Sequence, residues 1–215
     1  MKKIAIIGTG VVGLEILTVM KKRDFRFDAL SLFASARSAG KKIKTPFGIK
    51  EIMKFSPKKV QGFDVVFSCV GGDFPGKFLE NLSEKNGVII DQSSFFRYRR
   101  DIPLVEPEIN PEAASGAKLI ANPNCTTALF GVVLFPIFKH FGMERVIVST
   151  YQATSGGGRQ AMNELETQTK KYLDGEKVSC EAFAHPIAFN LIPAVDAFLP
   201  EENFYTKEEM KVVWE

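Results

Sequence analysis

A glycine-rich loop near the start of the chain has the residue types and spacing of a phosphate-binding turn. The loop follows the short apolar run 3–7 and precedes a segment with helical spacing over 12–22. It consists of Gly8, Thr9, Gly10, Val11, Val12 and Gly13. Glycines spaced in this way between a strand and a helix permit a tight turn, close approach of the backbone to a pyrophosphate, and close helix–strand packing. The context favours dinucleotide binding over a simple turn.

The residues after the second apolar run indicate which dinucleotide would bind. A site for NAD usually has an acidic residue at the end of this strand, to hold the ribose hydroxyls. Here the run ends in Ala34 and is followed by Ser35, Arg37 and Ser38, with no acid before Lys41. Hydroxyl groups and cations suit a 2′-phosphate, so we expect NADP. The alternative is a solvated basic loop with no ligand.

Cys125 is the candidate nucleophile. It follows Asn122-Pro-Asn and begins an apolar segment with helical spacing, predicted to run from about Thr126 to His140. The positive end of a helix favours the thiolate form of a cysteine. Cys69 and Cys180 lack such a position and are read as structural, and a buried, inert cysteine stays open as the alternative for Cys125. A nicotinamide domain followed by an activated cysteine is typical of aldehyde–acyl interconversion through a thioester.

The elements that would position these residues form an α/β pattern. Five short apolar runs alternate with helical segments, of which the clearest are 12–22 and 78–85. The runs are Lys3–Ile7, Asp28–Ala34, Asp64–Val70, Gly87–Asp91 and Lys118–Ala121. Strands alternating with helices require crossover connections, so we predict a Rossmann-type, doubly wound parallel sheet covered on both faces.

The pattern changes after residue 121, and we place a domain boundary between residues 124 and 125. Residues 1–124 are read as an NADP-binding domain, and 125–215 as the first part of an α+β substrate and dimerisation domain. This second part is predicted to contain a strand from Arg145 to Thr150 and a helix from Arg159 to Leu173. A capping box, Thr206 with Glu209, predicts a further helix start.

Composition excludes several classes of protein. The 215 residues carry 28 basic and 25 acidic side chains, a net charge of +3 that is spread along the sequence and gives little support to a nucleic-acid surface. No apolar stretch has the length of a membrane helix or of a signal peptide, so we expect a cytoplasmic protein with no membrane partner. Three scattered cysteines and two histidines form no metal-ligand cluster.

Several motifs together resemble the aspartate-semialdehyde dehydrogenase family. They are the segments 8–13, 35–41, 90–97, 107–110, 122–127, 149–156, 187–193 and 208–211, which extend over essentially the whole chain. The sister family, N-acetyl-gamma-glutamyl-phosphate reductase, shares the glycine loop but surrounds its cysteine differently. It therefore stays an alternative, and Asn-Pro-Asn-Cys-Thr-Thr favours the aspartyl enzyme.

The resemblance implies a role for each matching residue. Cys125 matches the nucleophile and Gln152 a residue that orients the substrate. Arg97 and Lys211 match the cations that hold the acyl phosphate, and Asn124 a neighbour of the nucleophile in the phosphate pocket. Glu208 matches a carboxylate that meets the substrate's ammonium group. Without the resemblance, Glu208 with Lys211 reads as a surface ion pair and Arg97 as part of a solvated basic run. Further cofactor contacts are expected at Ser68, Gly71, Gly72, Ser155 and Gly156.

The resemblance also implies an activity. Family members reduce L-aspartyl 4-phosphate to L-aspartate 4-semialdehyde with NADPH, in oxidoreductase chemistry that leads to lysine, threonine, methionine and diaminopimelate. Their partners are small molecules and further copies of the chain, as a homodimer or homotetramer.

The sequence departs from the family at its C-terminal end. The family's catalytic histidine and a second substrate-binding arginine lie beyond the position of Glu215. We therefore expect the 215-residue chain to be a fragment of an active dehydrogenase and to be inactive by itself. The alternative is a natural short paralogue that binds NADP or a partner chain without catalysis. His185 is not assigned as a replacement base.

Overall fold

The computed structural model describes residues 2–215, which form two compact units. One unit extends to Glu144 and also includes Glu215, and the other comprises Arg145–Trp214. This division lies beyond the boundary expected at residue 124, because helix α3 (Cys125–Phe141) groups with the first unit. The backbone of α3 passes close to Ile109 at Gly131, where an added Cβ would lie 2.8 Å from Ile109 Cδ1.

The first unit is built on a seven-stranded sheet with the order β3-β4-β2-β1-β5-β6-β7. Six of its strands are parallel, and β3 joins β4 in antiparallel orientation. The elements are β1 (Lys3–Ile7), α1 (Val11–Lys22), β2 (Ala29–Ala34), β3 (Lys42–Thr45), β4 (Gly48–Lys54), β5 (Val65–Ser68), α2 (Phe74–Ser83), β6 (Val88–Asp91) and β7 (Leu119–Ala121). The Rossmann-type fold and its five apolar strands are confirmed.

Side chains alternate between the two faces along each buried strand, and both faces of this sheet are apolar. Helices therefore cover both faces. In β1, Ile4 and Ile6 pack with Leu17 of α1. Their neighbours Ala5 and Ile7 point to the opposite face and pack with a cluster that contains Leu79 and Leu82 of α2. The carboxyl ends of β1, β2 and β5 lie side by side, because Ile7 of β1 is paired with Phe33 of β2 and with Ser68 of β5.

The hairpin of β3 and β4 is absent from the sequence-based prediction. Its strands are rich in lysine and only partly buried, so neither has the continuous apolar run that marks the central strands. The turn between them is closed by Thr45, whose hydroxyl donates to the carbonyl oxygen of Gly48 at 2.8 Å. The hairpin extends the sheet beyond β2.

Helix α3 is apolar, and none of its residues is buried in the described structure. Large side chains such as Leu129 and Phe141 are exposed by 76% and 85%. Its N-terminus is capped by Asn124, whose side chain accepts a hydrogen bond from the Thr126 N–H at 2.8 Å. Within residues 2–215, no helix is both long enough and apolar enough to cross a membrane.

The second unit contains two helices and a short hairpin. They are α4 (Gly158–Leu173), β8 (Phe198–Leu199), β9 (Tyr205–Thr206) and α5 (Lys207–Trp214). The capping box at the start of α5 is confirmed, because Glu209 accepts from the N–H of Thr206 at 2.6 Å while the Thr206 hydroxyl accepts from the N–H of Glu209 at 3.2 Å.

The strand predicted from Arg145 to Thr150 is wrong for this structure. The segment has no regular secondary structure, and Ile147 is 87% exposed. A strand is stabilised by pairing, and no segment among residues 2–215 pairs with this one. The apolar, β-branched composition alone therefore does not form a strand here.

Candidate functional site

The glycine loop has the close-packed geometry of a phosphate-binding turn. Gly8 has φ of +97°, and an added Cβ would lie 2.7 Å from the carbonyl oxygen of Cys69. A Cβ on Gly13 would lie 2.0 Å from the carbonyl oxygen of Gly8, whereas one on Gly10 would meet nothing within 4 Å. Gly10 caps α1, whose first backbone N–H groups have no acceptor within the helix. An anion can therefore approach the helix at Gly10.

The loop after β2 borders this turn, because β1 and β2 are adjacent and parallel. Ser35 and Arg37 are exposed, and the backbone turns tightly through a bond from the Ser38 N–H to the Ser35 carbonyl at 3.0 Å. No carboxylate is present between Ala34 and Lys41. These residues fit a dinucleotide with a phosphorylated ribose.

The loop after β5 is the third segment at the carboxyl ends of the parallel strands. Gly71 and Gly72 are exposed, and Gly72 has φ of +66°. Ser68, in contrast, has a fully buried side chain, and its carbonyl accepts the N–H of Gln92 at 2.8 Å. The glycines are thus accessible to a ligand, and the Ser68 side chain is not.

Cys125 is the first residue of α3 and is exposed. It lies at the positive end of the helix dipole, directly after the buried Asn124. Cys69 differs, because burial raises the pKa of its thiol to about 12, with the charge of Asp91 acting in the same direction. Cys69 is therefore protonated at neutral pH and does not serve as a nucleophile.

Arg97 is not part of a solvated basic run. Its side chain is only 8% exposed, and its guanidinium donates to three acceptors. Nε donates to the carbonyl oxygen of Asn122 at 2.8 Å, Nη2 to the carbonyl oxygen of Gln92 at 3.1 Å, and Nη1 to Oε1 of Glu215 at 3.0 Å. Arg97 is thereby connected to the segment that leads into Cys125, directly at Asn122 and through Glu215, which also accepts the N–H of Asn124.

Two acidic residues near Arg97 are absent from the sequence-based site. Glu215 has a fully buried side chain, and its contact with Arg97 has no local signal because the two residues are 118 positions apart in the sequence. Asp91, at the end of β6, accepts from the Ser93 hydroxyl at 2.5 Å. Burial raises the pKa of Asp91, although hydrogen bonds from Ser93 oppose this.

In the second unit, Gln152 packs against Gly156. Both are exposed, and Gly156 lies within a short helical turn, Thr154–Gly157, that follows Gln152 and leads into α4. An added Cβ on Gly156 would lie 2.0 Å from Nε2 of Gln152. Gly156 therefore leaves space for the carboxamide, and the cofactor contacts expected of Ser155 and Gly156 stay predictions.

Glu208 and Lys211 form an ion pair on α5, with Nζ of Lys211 2.7 Å from Oε2 of Glu208. Oδ2 of Asp196 lies 3.1 Å from the same Nζ. The sequence pattern does not indicate this contact, because Asp196 lies outside the helix. Desolvation would lower the pKa of Lys211, but the bonds to Glu208 and Asp196 outweigh it and raise that pKa. The Lys211 side chain is therefore a cation fixed by two carboxylates, and it is 13% exposed.

Comparison with known proteins identifies the family. Residues 3–117 match the NAD-binding domain of semialdehyde dehydrogenases, and residues 134–215 match their dimerisation domain. Aspartate-semialdehyde dehydrogenase 2 of Vibrio cholerae is 42% identical over 99% of this chain, which spans 64% of that enzyme's length.

Solved structures agree with this match. A crystal structure of aspartate semialdehyde dehydrogenase II from Vibrio cholerae, complexed with ASA, superposes with a TM-score of 0.91 at 40% identity, over 99% of this chain and 64% of that one. The enzyme from Candida albicans, crystallised with NADP, has a TM-score of 0.55 at 28% identity over 66% of this chain and 48% of that one. The chain belongs to the aspartate-semialdehyde dehydrogenase family.

Proposed function

We propose that this protein interconverts L-aspartyl 4-phosphate and L-aspartate 4-semialdehyde, with NADP as its redox cofactor and Cys125 as its nucleophile. The observation that carries the proposal is an exposed cysteine in the first turn of α3, preceded by a backbone N–H that shares the carboxylate of Glu215 with Arg97. A nucleophile beside a fixed guanidinium suits a substrate whose carbonyl carbon carries a phosphate.

The chemistry of Cys125 follows from that substrate. In the reductive direction the thiolate attacks the acyl carbon, and the bond from this carbon to the phosphate oxygen breaks. Inorganic phosphate departs, and the acyl group remains bound to Sγ as a thioester. NADPH, when bound, supplies the hydride that reduces the acyl group. Collapse of the resulting adduct releases the semialdehyde and restores the thiolate. In the oxidative direction, phosphate releases the acyl group from Sγ.

The other polar residues bind the substrate. Arg97 and Lys211 hold the phosphate group, since guanidinium and ammonium are the cations that pair with phosphate oxygens. Glu208 meets the substrate's ammonium group, and Gln152 orients the acyl group through its carboxamide. Asn124 fixes the start of α3 by accepting the Thr126 N–H.

The cofactor binds at the carboxyl ends of β1, β2 and β5. The pyrophosphate lies at the open Gly10 position, and Arg37 with Ser35 and Ser38 holds the 2′-phosphate. The absence of an acidic residue at 34–41 supports NADP over NAD. The Candida albicans relative crystallised with NADP supports the same choice.

The protein assembles as a homodimer or homotetramer. The match of residues 134–215 to a dimerisation domain supports this, as do the exposed apolar side chains of the second unit, among them Ile147, Tyr151 and Leu191. Sedimentation equilibrium tests the assembly, and a monomer at micromolar concentration contradicts it.

Residues 1–215 span 64% of the length of the Vibrio cholerae enzyme and are expected to be inactive by themselves. The activity is therefore tested by following NADPH formation with NADP, aspartate semialdehyde and inorganic phosphate, in a chain of the relatives' full length that includes these residues. Mass spectrometry of Cys125 after addition of aspartyl phosphate detects the thioester without turnover. We expect Cys125→Ser to abolish both signals and Cys180→Ser, at another exposed cysteine, to retain them. Undiminished NADPH formation in Cys125→Ser contradicts the proposal. NADP binding with neither signal favours a non-catalytic paralogue, and turnover of the N-acetylglutamyl substrate instead favours the sister reductase.

A further inference from the structure

Glu215 has a carboxylate that is fully withdrawn from solvent, and both of its oxygens are bound. Oε1 accepts from Nη1 of Arg97 at 3.0 Å and from the hydroxyl of Tyr98 at 3.1 Å. Oε2 accepts from the backbone N–H of Asn124. A buried carboxylate is costly unless it is paired and hydrogen-bonded, so this arrangement is a specific one.

The ion pair with Glu215 distinguishes Arg97 from its basic neighbours. Arg99 pairs with Glu80 and Asp101, but its side chain is 41% exposed and that of Glu80 is 47% exposed. Exposed pairs of this kind contribute little to stability. Arg97 is held instead at three of its nitrogens, and Glu215 provides the only charged acceptor that the described residues place on it.

The second oxygen of Glu215 connects this arginine to the nucleophile. Asn124 is the N-cap of α3, and Cys125 is the next residue. One carboxylate therefore bonds both to the guanidinium and to the backbone that begins the cysteine's helix. This bridge fixes the separation between the anion-binding group and the thiol.

We propose that Glu215 is a positioning residue that sets the orientation of Arg97 relative to Cys125, so that a phosphate group bound by Arg97 lies beside the thiol. The inference rests on the proposed function only for the identity of that anion. A buried ion pair is by itself weak evidence for stability, so a positioning role and a purely stabilising role predict different measurements.

The test uses the full chain with inorganic phosphate as the probe and needs no turnover. The rate of iodoacetamide alkylation at Cys125 is measured by peptide mass spectrometry against phosphate concentration, which gives an apparent dissociation constant from the protection. Glu215→Gln keeps the size of the side chain but replaces one acceptor oxygen with a donor group. We expect it to weaken phosphate protection by about tenfold, as for loss of a charged hydrogen bond.

Two further variants make the outcome specific. Tyr98→Phe removes one donor to Glu215 with little effect on packing, and we expect protection to weaken by about threefold. Glu80→Gln removes an exposed glutamate–arginine pair in the same unit and should leave protection within about twofold. Thermal unfolding of each variant is measured alongside, so that loss of fold is recognised.

Unchanged or tighter phosphate protection in a folded Glu215→Gln chain would overturn the proposal, because Glu215 would then only neutralise Arg97. If Glu215→Gln does not fold, unchanged protection in Tyr98→Phe overturns it in the same way. Absence of phosphate protection in the unaltered chain also overturns it. Failure of the proposed function appears separately, as absent thioester and NADPH in a chain that phosphate still protects.

Discussion

Nζ of Lys211 lies 3.1 Å from Oδ2 of Asp196, a residue that precedes the hairpin of the second unit. Asp196 also accepts the N–H of Ala197 at 2.9 Å. Burial alone would raise the pKa of Asp196, but these bonds lower it overall, so the pair is intact at neutral pH. Its contribution to stability is present above the ordinary pKa of the carboxyl and is lost as the pH falls through the lowered value.

Asp196→Asn should weaken phosphate binding, because Lys211 loses one of the two carboxylates that hold it. Asparagine tolerates the φ of 70° at this position, so the backbone is retained. We expect the KM for phosphate to rise by roughly two- to fivefold while the KM for NADP is unchanged. Glu166→Gln, which removes the exposed pair with Lys170 on α4, serves as control. Equal phosphate KM values in the two variants contradict this role.

Gly156→Ala should impair catalysis through Gln152. The new methyl group would overlap the carboxamide at 2.0 Å and displace it, whereas the backbone at Gly156 does not have a positive φ and suffers no strain. We expect kcat to fall by on the order of tenfold or more, with the unfolding transition little changed. A double-mutant cycle with Gln152→Ala checks the route, since Gly156→Ala should have no further effect once the carboxamide is gone.

Gly10 and Gly13 of the phosphate-binding turn should respond differently to substitution by alanine. Gly13→Ala places a Cβ 2.0 Å from a backbone oxygen, so helix α1 must move, and we expect a loss of about 1–3 kcal/mol in the free energy of unfolding. Gly10→Ala meets no atom within 4 Å and should unfold like the unaltered chain, but it should bind dinucleotide more weakly. Denaturant titration with cofactor binding separates the two, and equal stabilities exclude the close packing of α1.

The sequence predicts those parts of the first unit that carry their own local signal. The central strands are buried on both faces and read as apolar runs, and Gly8–Gly13 reads as a turn because both neighbouring elements are recognisable. The β3–β4 hairpin lacks that signal, since its alternation is masked by lysines on an edge. The segment 145–150 has the composition of a strand but no partner among residues 2–215, which no local pattern reveals.

In the candidate site, too, some residues are recognisable from the local sequence and others are not. Cys125 is recognisable because the helix start and the cysteine are adjacent in sequence. The environment of Arg97 is not, because Glu215 is separated from it by 118 residues and the remaining acceptors are backbone carbonyls. Helical spacing pairs Lys211 with Glu208, as the structure does, but it does not indicate the second contact of Lys211 with Asp196. Such pairings depend on tertiary packing and need coordinates.

Arg37 should determine the preference for NADP. Arg37→Gln removes the cation expected at the 2′-phosphate, so NADPH affinity should fall by about tenfold while NADH affinity is nearly unchanged. Fluorescence titration of the reduced cofactors measures both constants. Arg26→Gln, which alters another exposed arginine of the same unit, is the matched control. An unchanged ratio of the two affinities would contradict the reading of this loop.

Cys69 should make the stability of the protein fall at high pH. Burial raises the pKa of this thiol to about 12, from a reference value of 9.0, so the folded state disfavours the thiolate. The contribution is fully present below pH 9.0, and it is lost as the pH rises through the folded-state value. Between these limits the free energy of unfolding should decrease by up to about 1.4 kcal/mol per pH unit from this group. Denaturant titrations from neutral to alkaline pH should show a shallower decline in Cys69→Ala than in the unaltered chain. Cys180→Ala, at an exposed thiol, should keep the original slope, and equal slopes in all three proteins would show that the Cys69 thiol is not desolvated.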